Sequence, residues 1–257
     1  MVAAARKAAR GLQRDFSEVE NLQVSLKGPA NFVTAADKKA EKVLFEELSK
    51  ARPGYSFLME EGGVVEGSDK SHRWIIDPLD GTTNFLHSIP HFSISIALER
   101  DGQLVAGLVY NPISDEMFIA EKGQGAFLND RRIRVAVRRD LAQAVVATGI
   151  PHIGRPGHAR FSAELGTVMN EVAGVRRMGS DALDLAYVAA GRFDAYWEAA
   201  LAPWDMAAGI VLVREAGGFV ADLKGSDAML DSGGIVAGND MLYRKLGDLL
   251  KKAHKQA

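Results

Sequence analysis

Trp-Ile-Ile-Asp-Pro-Leu-Asp-Gly-Thr-Thr-Asn-Phe, residues 74–85, joins an apolar strand to a helix start through two aspartates. Pro78 cannot donate to a strand ladder, which predicts a strand end at Asp77. Gly81 permits a tight backbone approach, and Thr82-Thr83 reads as a first helical turn. Its free N–H groups and positive dipole end suit a phosphate. Asp77 and Asp80, three residues apart across a sharp turn, can converge on one point. Hard divalent cations such as Mg²⁺ take oxygen clusters of that kind. The ordinary alternative is a strand-end Asp77 and a helix-capping Asp80, and the spacing alone leaves both open.

Upstream, residues 2–16 predict a helix with a basic outer face. Residues 34–51 predict a longer amphipathic helix, with Thr34 as N-cap and Asp37 three residues later in a capping-box-like place. Arg52-Pro53-Gly54 stops it. Tyr55 to Met59 and Arg73 to Asp77 are apolar runs of strand length. Phe92 to Glu99 alternates and runs into an Asp101-Gly102 turn. Gln103 to Tyr110, Glu116 to Glu121 and Gly125 to Leu128 extend an antiparallel meander.

After about residue 140 the pattern alternates. Strands are expected at Ala144 to Thr148, Val175 to Met178, Phe193 to Glu198, Phe219 to Asp222 and Ile235 to Ala237. Helices are expected over 158–173, 180–190, 204–216 and from about Asp240 onward. The expected organisation is an N-terminal α+β half over 1–140, with an antiparallel sheet, and a C-terminal α/β half over 141–257. No repeat or long linker separates them, so they should pack as one compact unit.

The 257 residues are 47% hydrophobic and 25% charged, which excludes a disordered or collagen-like chain. A net charge of -2 argues against broad nucleic-acid binding, which usually needs a basic surface. The absence of cysteine excludes disulfides, Cys-ligated metals and a thiol nucleophile. Residues 1–16 have no secretory apolar core, and no run approaches the ~18 apolar residues of a membrane span. A cytoplasmic protein with no membrane partner is the expectation.

Two further acidic motifs stand apart from the first. Glu60-Glu61 follows the apolar run Tyr55 to Met59 and precedes Gly62-Gly63. Asp205 opens a helix rich in small residues, in P-W-D-M-A-A-G at 203–209. Each has a plain alternative: a polar turn for the first, and an acid favouring the helix dipole for the second. His87 and His91, either side of Pro90, read as structural residues, and Trp204 as packing beneath Asp205.

Taken together with K-G-P-A-N-F-V-T-A-A-D at 27–37, G-S-D-A-L-D-L-A at 179–186 and W-E-A-A-L-A-P-W-D at 197–205, these motifs resemble the inositol monophosphatase family. The resemblance spans most of the chain, and the bacterial SuhB-type branch is the nearest match. It implies a layered αβαβα sandwich of the sugar-phosphatase type, usually a homodimer. It implies Mg²⁺-dependent hydrolysis of myo-inositol monophosphate by a metal-activated water, with Li⁺ as an inhibitor. Fructose-1,6-bisphosphate, histidinol phosphate, NADP or 3′-phosphoadenosine phosphates are alternative substrates within the superfamily. A regulatory interaction protein that kept the fold is the alternative outside catalysis.

Residue by residue, the resemblance assigns Glu60, Asp77 and the Leu79 carbonyl to one metal, and Asp77, Asp80 and Asp205 to a second. Glu60 would help a third, weaker metal. Thr82 would contact the attacking water, with Asp37 orienting its hydroxyl. Gly81 and Thr82 N–H groups would bind phosphate, and Lys27 would lie nearby. Gly179, Ser180 and Asp181 would line the polyol pocket, with Glu198 accepting from a substrate hydroxyl. On residue type alone, Lys27 is a solvated lysine and Glu198 a strand-end carboxylate. Three positions depart from the family pattern: Asn31 for Asp, Met59 for Gly, and Asp181 for Ala. A carboxylate at 181 could favour extra hydroxyls, attract a cation, disfavour a second phosphate, or point to solvent.

Overall fold

The computed structural model describes residues 1–19, 24–28 and 31–256, with side chains described outside 24–28, 31–33 and 255–256. Helix α1 (Val2–Ser17) buries Ala4, Ala5, Ala8, Ala9 and Leu12 along one stripe. These small residues let it lie close against α2 (Ala35–Ala51). A short pair, β1 (Val24–Gly28) and β2 (Asn31–Thr34), precedes α2. The expected capping box is present: Thr34 accepts from the Ala36 and Asp37 amides, and Asp37 accepts from the Thr34 amide.

The large sheet holds β3 (Tyr55–Met59), β4 (Gly63–Val65), β5 (Asp69–Asp80), β6 (Ser93–Arg100), β7 (Gln103–Asn111), β8 (Glu116–Glu121), β9 (Gly125–Leu128) and β10 (Arg131–Ile133). Its order is β10-β9-β8-β7-β6-β5-β3-β4. From β5 to β9 it is the expected antiparallel meander, which β10 extends by one further antiparallel strand, but β3 pairs parallel to β5. The strand end predicted at Asp77 is not observed: β5 continues through Pro78 to Asp80. A register slip makes this possible. Asp77 opposes Ser95 while Asp80 opposes Ser93, so β5 carries one extra residue there. A bulge is one of the few places inside a sheet that tolerates proline.

After β5 comes the short helix α3 (Thr82–Leu86). The later part of the chain supplies β11 (Val145–Thr148), α4 (His158–Met169), β12 (Gly174–Arg176), α5 (Asp181–Ala189), β13 (Ala195–Glu198), α6 (Pro203–Glu215), β14 (Phe219–Ala221), α7 (Met229–Ser232), β15 (Ile235–Gly238) and α8 (Asp240–Gln256). The second sheet runs β12-β11-β13-β15-β14 and is mixed, because β15 is antiparallel to both its neighbours.

Three apolar clusters define five layers. Helices α1 and α2 pack on one face of the large sheet. Its other face meets α5 and α6, which are shared with the second sheet. Helices α4 and α8 cover the far side of that sheet. The expected αβαβα sandwich is therefore the fold. Every residue of α6 from Met206 to Val213 is buried, as for a helix enclosed on all sides. Its small residues follow from this enclosure. A Cβ on Gly107 of β7 would lie 2.6 Å from the Ala208 carbonyl, and one on Gly209 would lie 2.5 Å from Leu185. So α6 is wedged between the layers, and its N-terminal Asp205 is carried to the end of both sheets.

Candidate active site

A cavity of about 450 Å³ opens where these ends meet, and Glu60, Asp77, Asp80 and Asp205 all line it. Glu60 directly follows β3, and its amide donates to the Ile76 carbonyl at 3.2 Å, which seats it beside Asp77. The bulge in β5 brings both Asp77 and Asp80 to the cavity wall. Asp77 Oδ1 accepts the Leu79 amide at 2.9 Å. Asp80 is held by Ser180 Oγ, by the Ala182 amide at 2.9 Å and by the Asp181 amide at 3.2 Å. Asp205, just inside the start of α6, accepts the Ala202 amide at 2.7 Å.

These carboxylates feel one another. Burial pushes Asp77 well above the usual carboxylate range, and the charges of Glu60, Asp80 and Asp205 push it further. Burial likewise raises Asp205, followed by the charges of Asp181, Asp80 and Glu60. Asp80 is raised to about 7, by burial first and the Asp181 charge second, against the donors that hold it. Among the described residues no three acidic or histidine side chains meet at a common ligating point.

The donor set is nevertheless well matched to a hard divalent ion. It consists of carboxylates and the Leu79 carbonyl, all oxygen. Among the described residues no lysine or arginine pairs with Asp77, Asp80 or Asp205. Buried carboxylates without a cationic partner are costly, and a bound cation would remove that cost.

Thr82 and Asp37 meet although they lie on different elements: Thr82 Oγ1 is 3.1 Å from Asp37 Oδ1 and 3.1 Å from the Leu79 carbonyl. Asp37 is buried, which raises its pKa, while the two donations from Thr34 oppose that rise. Gly81 has φ +94°, and a Cβ there would lie 3.0 Å from the Gly179 carbonyl and 3.2 Å from that of His91. Only glycine fits. Among the described residues no acceptor takes the Gly81 or Thr82 amide, so both N–H groups are available at the cavity floor.

Gly179, Asp181 and Glu198 line the same cavity, whereas Ser180 is buried behind Asp80. The side chains of Lys27 and Asn31 lie outside the described residues. Several neighbours were not singled out from the sequence. Asn84 Nδ2 reaches the carbonyls of His91 at 2.7 Å and Met178 at 2.8 Å, which pins the 178–180 turn to α3. Tyr196 donates to Glu198 at 2.5 Å and lies 3.3 Å from Asp181 Oδ1. The signal for Tyr196 was its spacing: two residues before Glu198 on a strand puts both on one face. Arg155, Arg160 and Arg177 also line the cavity. His91 is buried edge-on to Tyr187 at 5.7 Å, consistent with packing.

The inositol monophosphatase family model matches residues 1–256. An inositol-1-monophosphatase of Mesorhizobium japonicum is 63% identical over 252 residues, covering 98% of this chain and 95% of the relative. The Nus factor SuhB of Escherichia coli is 43% identical over 259 residues, covering 98% and 97%. The crystal structure of the extragenic suppressor protein SuhB from Bartonella henselae superposes with a TM-score of 0.96 at 60% identity, covering 98% and 97%. With the fold, the motif order and near-complete coverage in agreement, this chain belongs to the inositol monophosphatase family.

Proposed function

We propose that the chain is a Mg²⁺-dependent phosphomonoesterase that hydrolyses myo-inositol monophosphate to inositol and phosphate. One observation carries this reading. Acidic groups from β3, β5 and α6 share one cavity with the open amides of Gly81 and Thr82. Carboxylates on the cavity wall repel an anionic ester, and cations held between them would remove that repulsion. Family membership and the name of the Mesorhizobium relative support the substrate class.

Glu60, Asp77 and the Leu79 carbonyl would hold one Mg²⁺, Asp77, Asp80 and Asp205 a second, and Glu60 would help a third. When bound, such ions offset the charge of the ester, lower the pKa of a water and stabilise the leaving oxygen. Thr82 donates a hydrogen bond through its hydroxyl to Asp37, which leaves its oxygen lone pairs to accept from the attacking water and aim it. The Gly81 and Thr82 amides would receive the phosphate oxygens, and the family resemblance adds Lys27 to that set. Glu198 accepts from a substrate hydroxyl, and Gly179, Ser180 and Asp181 border the alcohol. The reading carries with it a homodimer, sensitivity to Li⁺, a cytoplasmic location and an active site between an N-terminal and a C-terminal half.

The test is phosphate release from a panel of monoesters with and without Mg²⁺. Fast, Mg²⁺-dependent release from inositol monophosphate is expected. No release from any monoester would sink the reading, and equal rates on all would sink its inositol specificity. The Nus factor name of the Escherichia coli relative favours one alternative, a regulatory binding role on the same fold. Asp80→Asn separates them: a cellular phenotype that survives loss of phosphatase activity belongs to binding.

A further inference from the structure

Strand β5 runs from Asp69 to Asp80, and its two ends meet different cavities. Its last residues reach the acidic one. Near its start, His72 lines a second cavity of about 230 Å³. His72 stands five positions before Asp77 on the strand, about 16 Å away at ~3.3 Å per residue. Arg52, which caps the end of α2, also lines this second cavity. A bulge in β7, where Leu104 to Ala106 oppose Leu98 and Glu99 of β6, brings both Val105 and Ala106 to its wall. With Leu98 they form the apolar part of the lining.

The polar part is positive. Arg52, Arg100 and Lys122 line the cavity with one acid, Glu121, an excess of two positive charges in a chain whose net charge is -2. Among the described residues none of these three cations enters an ion pair, with Glu121 or with any other acid. Arg52 donates to the Ala51 carbonyl at 2.8 Å and Lys122 to the Gln103 amide oxygen at 2.7 Å, both neutral acceptors. Arg100 stands directly across the ladder from His72. His72 is the fixed member of the set. Its Nδ1 is 2.9 Å from Asp69 Oδ2 and 2.8 Å from Ser71 Oγ, and its ring stacks on Tyr55 with centroids 4.3 Å apart. An ionised Asp69 can only accept, so Nδ1 carries the proton and Nε2 is left for another partner.

We propose that this second cavity binds a dianionic phosphate group, as free phosphate or as a phosphate ester, at a site separate from the acidic one. An excess of two positive charges matches a dianion, whereas a carboxylate would neutralise only half of it. The guanidinium forks of Arg52 and Arg100 can each take two phosphate oxygens, and the Lys122 ammonium adds a point charge. Nε2 of His72 is a fourth polar atom, able to donate to a phosphate oxygen when protonated or to accept from an ester's hydroxyl when neutral. The cavity is several times the roughly 30 Å³ share of one water, so an organic group can lie on Leu98, Val105 and Ala106 beside the phosphate. The side chains themselves supply the positive charge, so this site needs no metal and stands apart from the phosphomonoesterase reading.

The probes are inorganic phosphate and phenylphosphonate, an inert anion with an apolar group. Their dissociation constants are measured calorimetrically with the full-length protein in EDTA, at about 0.15 M salt so that diffuse surface attraction is screened. Without metal the carboxylates of the acidic cavity repel both probes. Saturable binding with a Kd of about 1 mM or tighter is expected. Arg100→Ala and Lys122→Ala should each weaken it at least about fivefold, the size of one exposed charge-assisted contact. Both residues are exposed, so both variants should fold as wild type does. Asp80→Asn, in the acidic cavity, should leave the constants within about twofold of wild type. Tighter binding of phenylphosphonate than of phosphate identifies an ester as the occupant, and equal or weaker binding identifies free phosphate. No saturation by either probe, or constants that both Arg100→Ala and Lys122→Ala leave unchanged, overturns the proposal. Loss of binding in Asp80→Asn overturns it too, by placing the anion in the acidic cavity. No turnover is measured, so failure here leaves the phosphatase reading untouched.

Discussion

Thr82 Oγ1 lies 3.1 Å from Asp37 Oδ1, which links the turn after β5 to the first turn of α2. Asp37 also accepts the Thr34 amide at 2.9 Å and the Thr34 hydroxyl at 2.5 Å. One carboxylate thus closes a helix cap and orients a hydroxyl in the cavity. The two duties can be separated. Thr82→Ala should reduce kcat by roughly a hundredfold or more with little effect on the melting temperature. Asp37→Asn should lose activity similarly and also lose about 1 kcal/mol of stability through the broken capping box. Phosphate-release kinetics and urea unfolding of both variants check this. A Thr82→Ala enzyme with wild-type kcat would remove Thr82 from the chemistry.

A Cβ on Gly149 would stand 1.9 Å from Glu198 Oε1, so the loop after β11 lies flat against that carboxylate. No real side chain can share this space, and Glu198 must swing away in Gly149→Ala. The expected result is a KM for the alcohol-bearing ester raised by about tenfold, with a smaller change in kcat, as for lost ground-state binding. Steady-state kinetics on inositol monophosphate measures the split. A fall in kcat alone, with KM unchanged, would mean that Glu198 does not contact the substrate.

The pH dependence of stability follows from the acidic cavity. Asp80 titrates at about 7 in the metal-free fold, against 3.8 for an ordinary aspartate. The folded chain therefore retains a proton that the unfolded chain releases. Stability from this group is complete below its unfolded value and is lost as pH rises through about 7. Burial moves Asp77, Asp205, Asp184 and Glu198 in the same direction. Protein stripped with EDTA should melt at least a few degrees lower at about pH 8 than at about pH 5.5. Mg²⁺ should remove most of that difference by supplying the missing positive charge. Identical pH profiles with and without Mg²⁺ would argue against an ion among these carboxylates.

The spacing of Asp77-Pro78-Leu79-Asp80 left a convergent pair and separate capping roles both open, and the geometry that brings both aspartates to one cavity was not legible. Proline chemistry predicted a strand end. A bulge against β6 let the strand continue, and bulges depend on a partner that local sequence does not reveal. The parallel pairing of β3 with β5 was hidden for the same reason. Strands β4 and β10, three residues each, are too short to show a period. The contacts of Ser180 with Asp80 and of Trp197 with Glu164 join residues 100 and 33 positions apart. Such contacts follow from the layering and not from local spacing. By contrast, the capping box at Thr34 and the small-residue face of α6 are local rules, and both were readable.

Glu164 provides a test of the outer layer, where it lines the cavity together with Arg160 and Trp197. It is only 2% exposed, yet it is carried on α4 among apolar neighbours. Three groups compensate it: Arg160 Nε at 2.8 Å, Trp197 Nε1 at 3.1 Å and His254 Nε2 at 2.5 Å. They come from α4, β13 and α8, so this one carboxylate ties both outer helices to the second sheet. Glu164→Ala would leave the buried Trp197 N–H and an arginine without their acceptor, and should cost about 3 kcal/mol. Glu164→Gln keeps an acceptor for Trp197 and should cost roughly half as much. His254→Ala removes only a peripheral partner and should cost about 1 kcal/mol or less. Urea midpoints of the three variants at neutral pH give the ranking. If Glu164→Ala unfolds at the wild-type midpoint, the network adds no stability and the apolar contacts of α4 and α8 alone hold the layer in place.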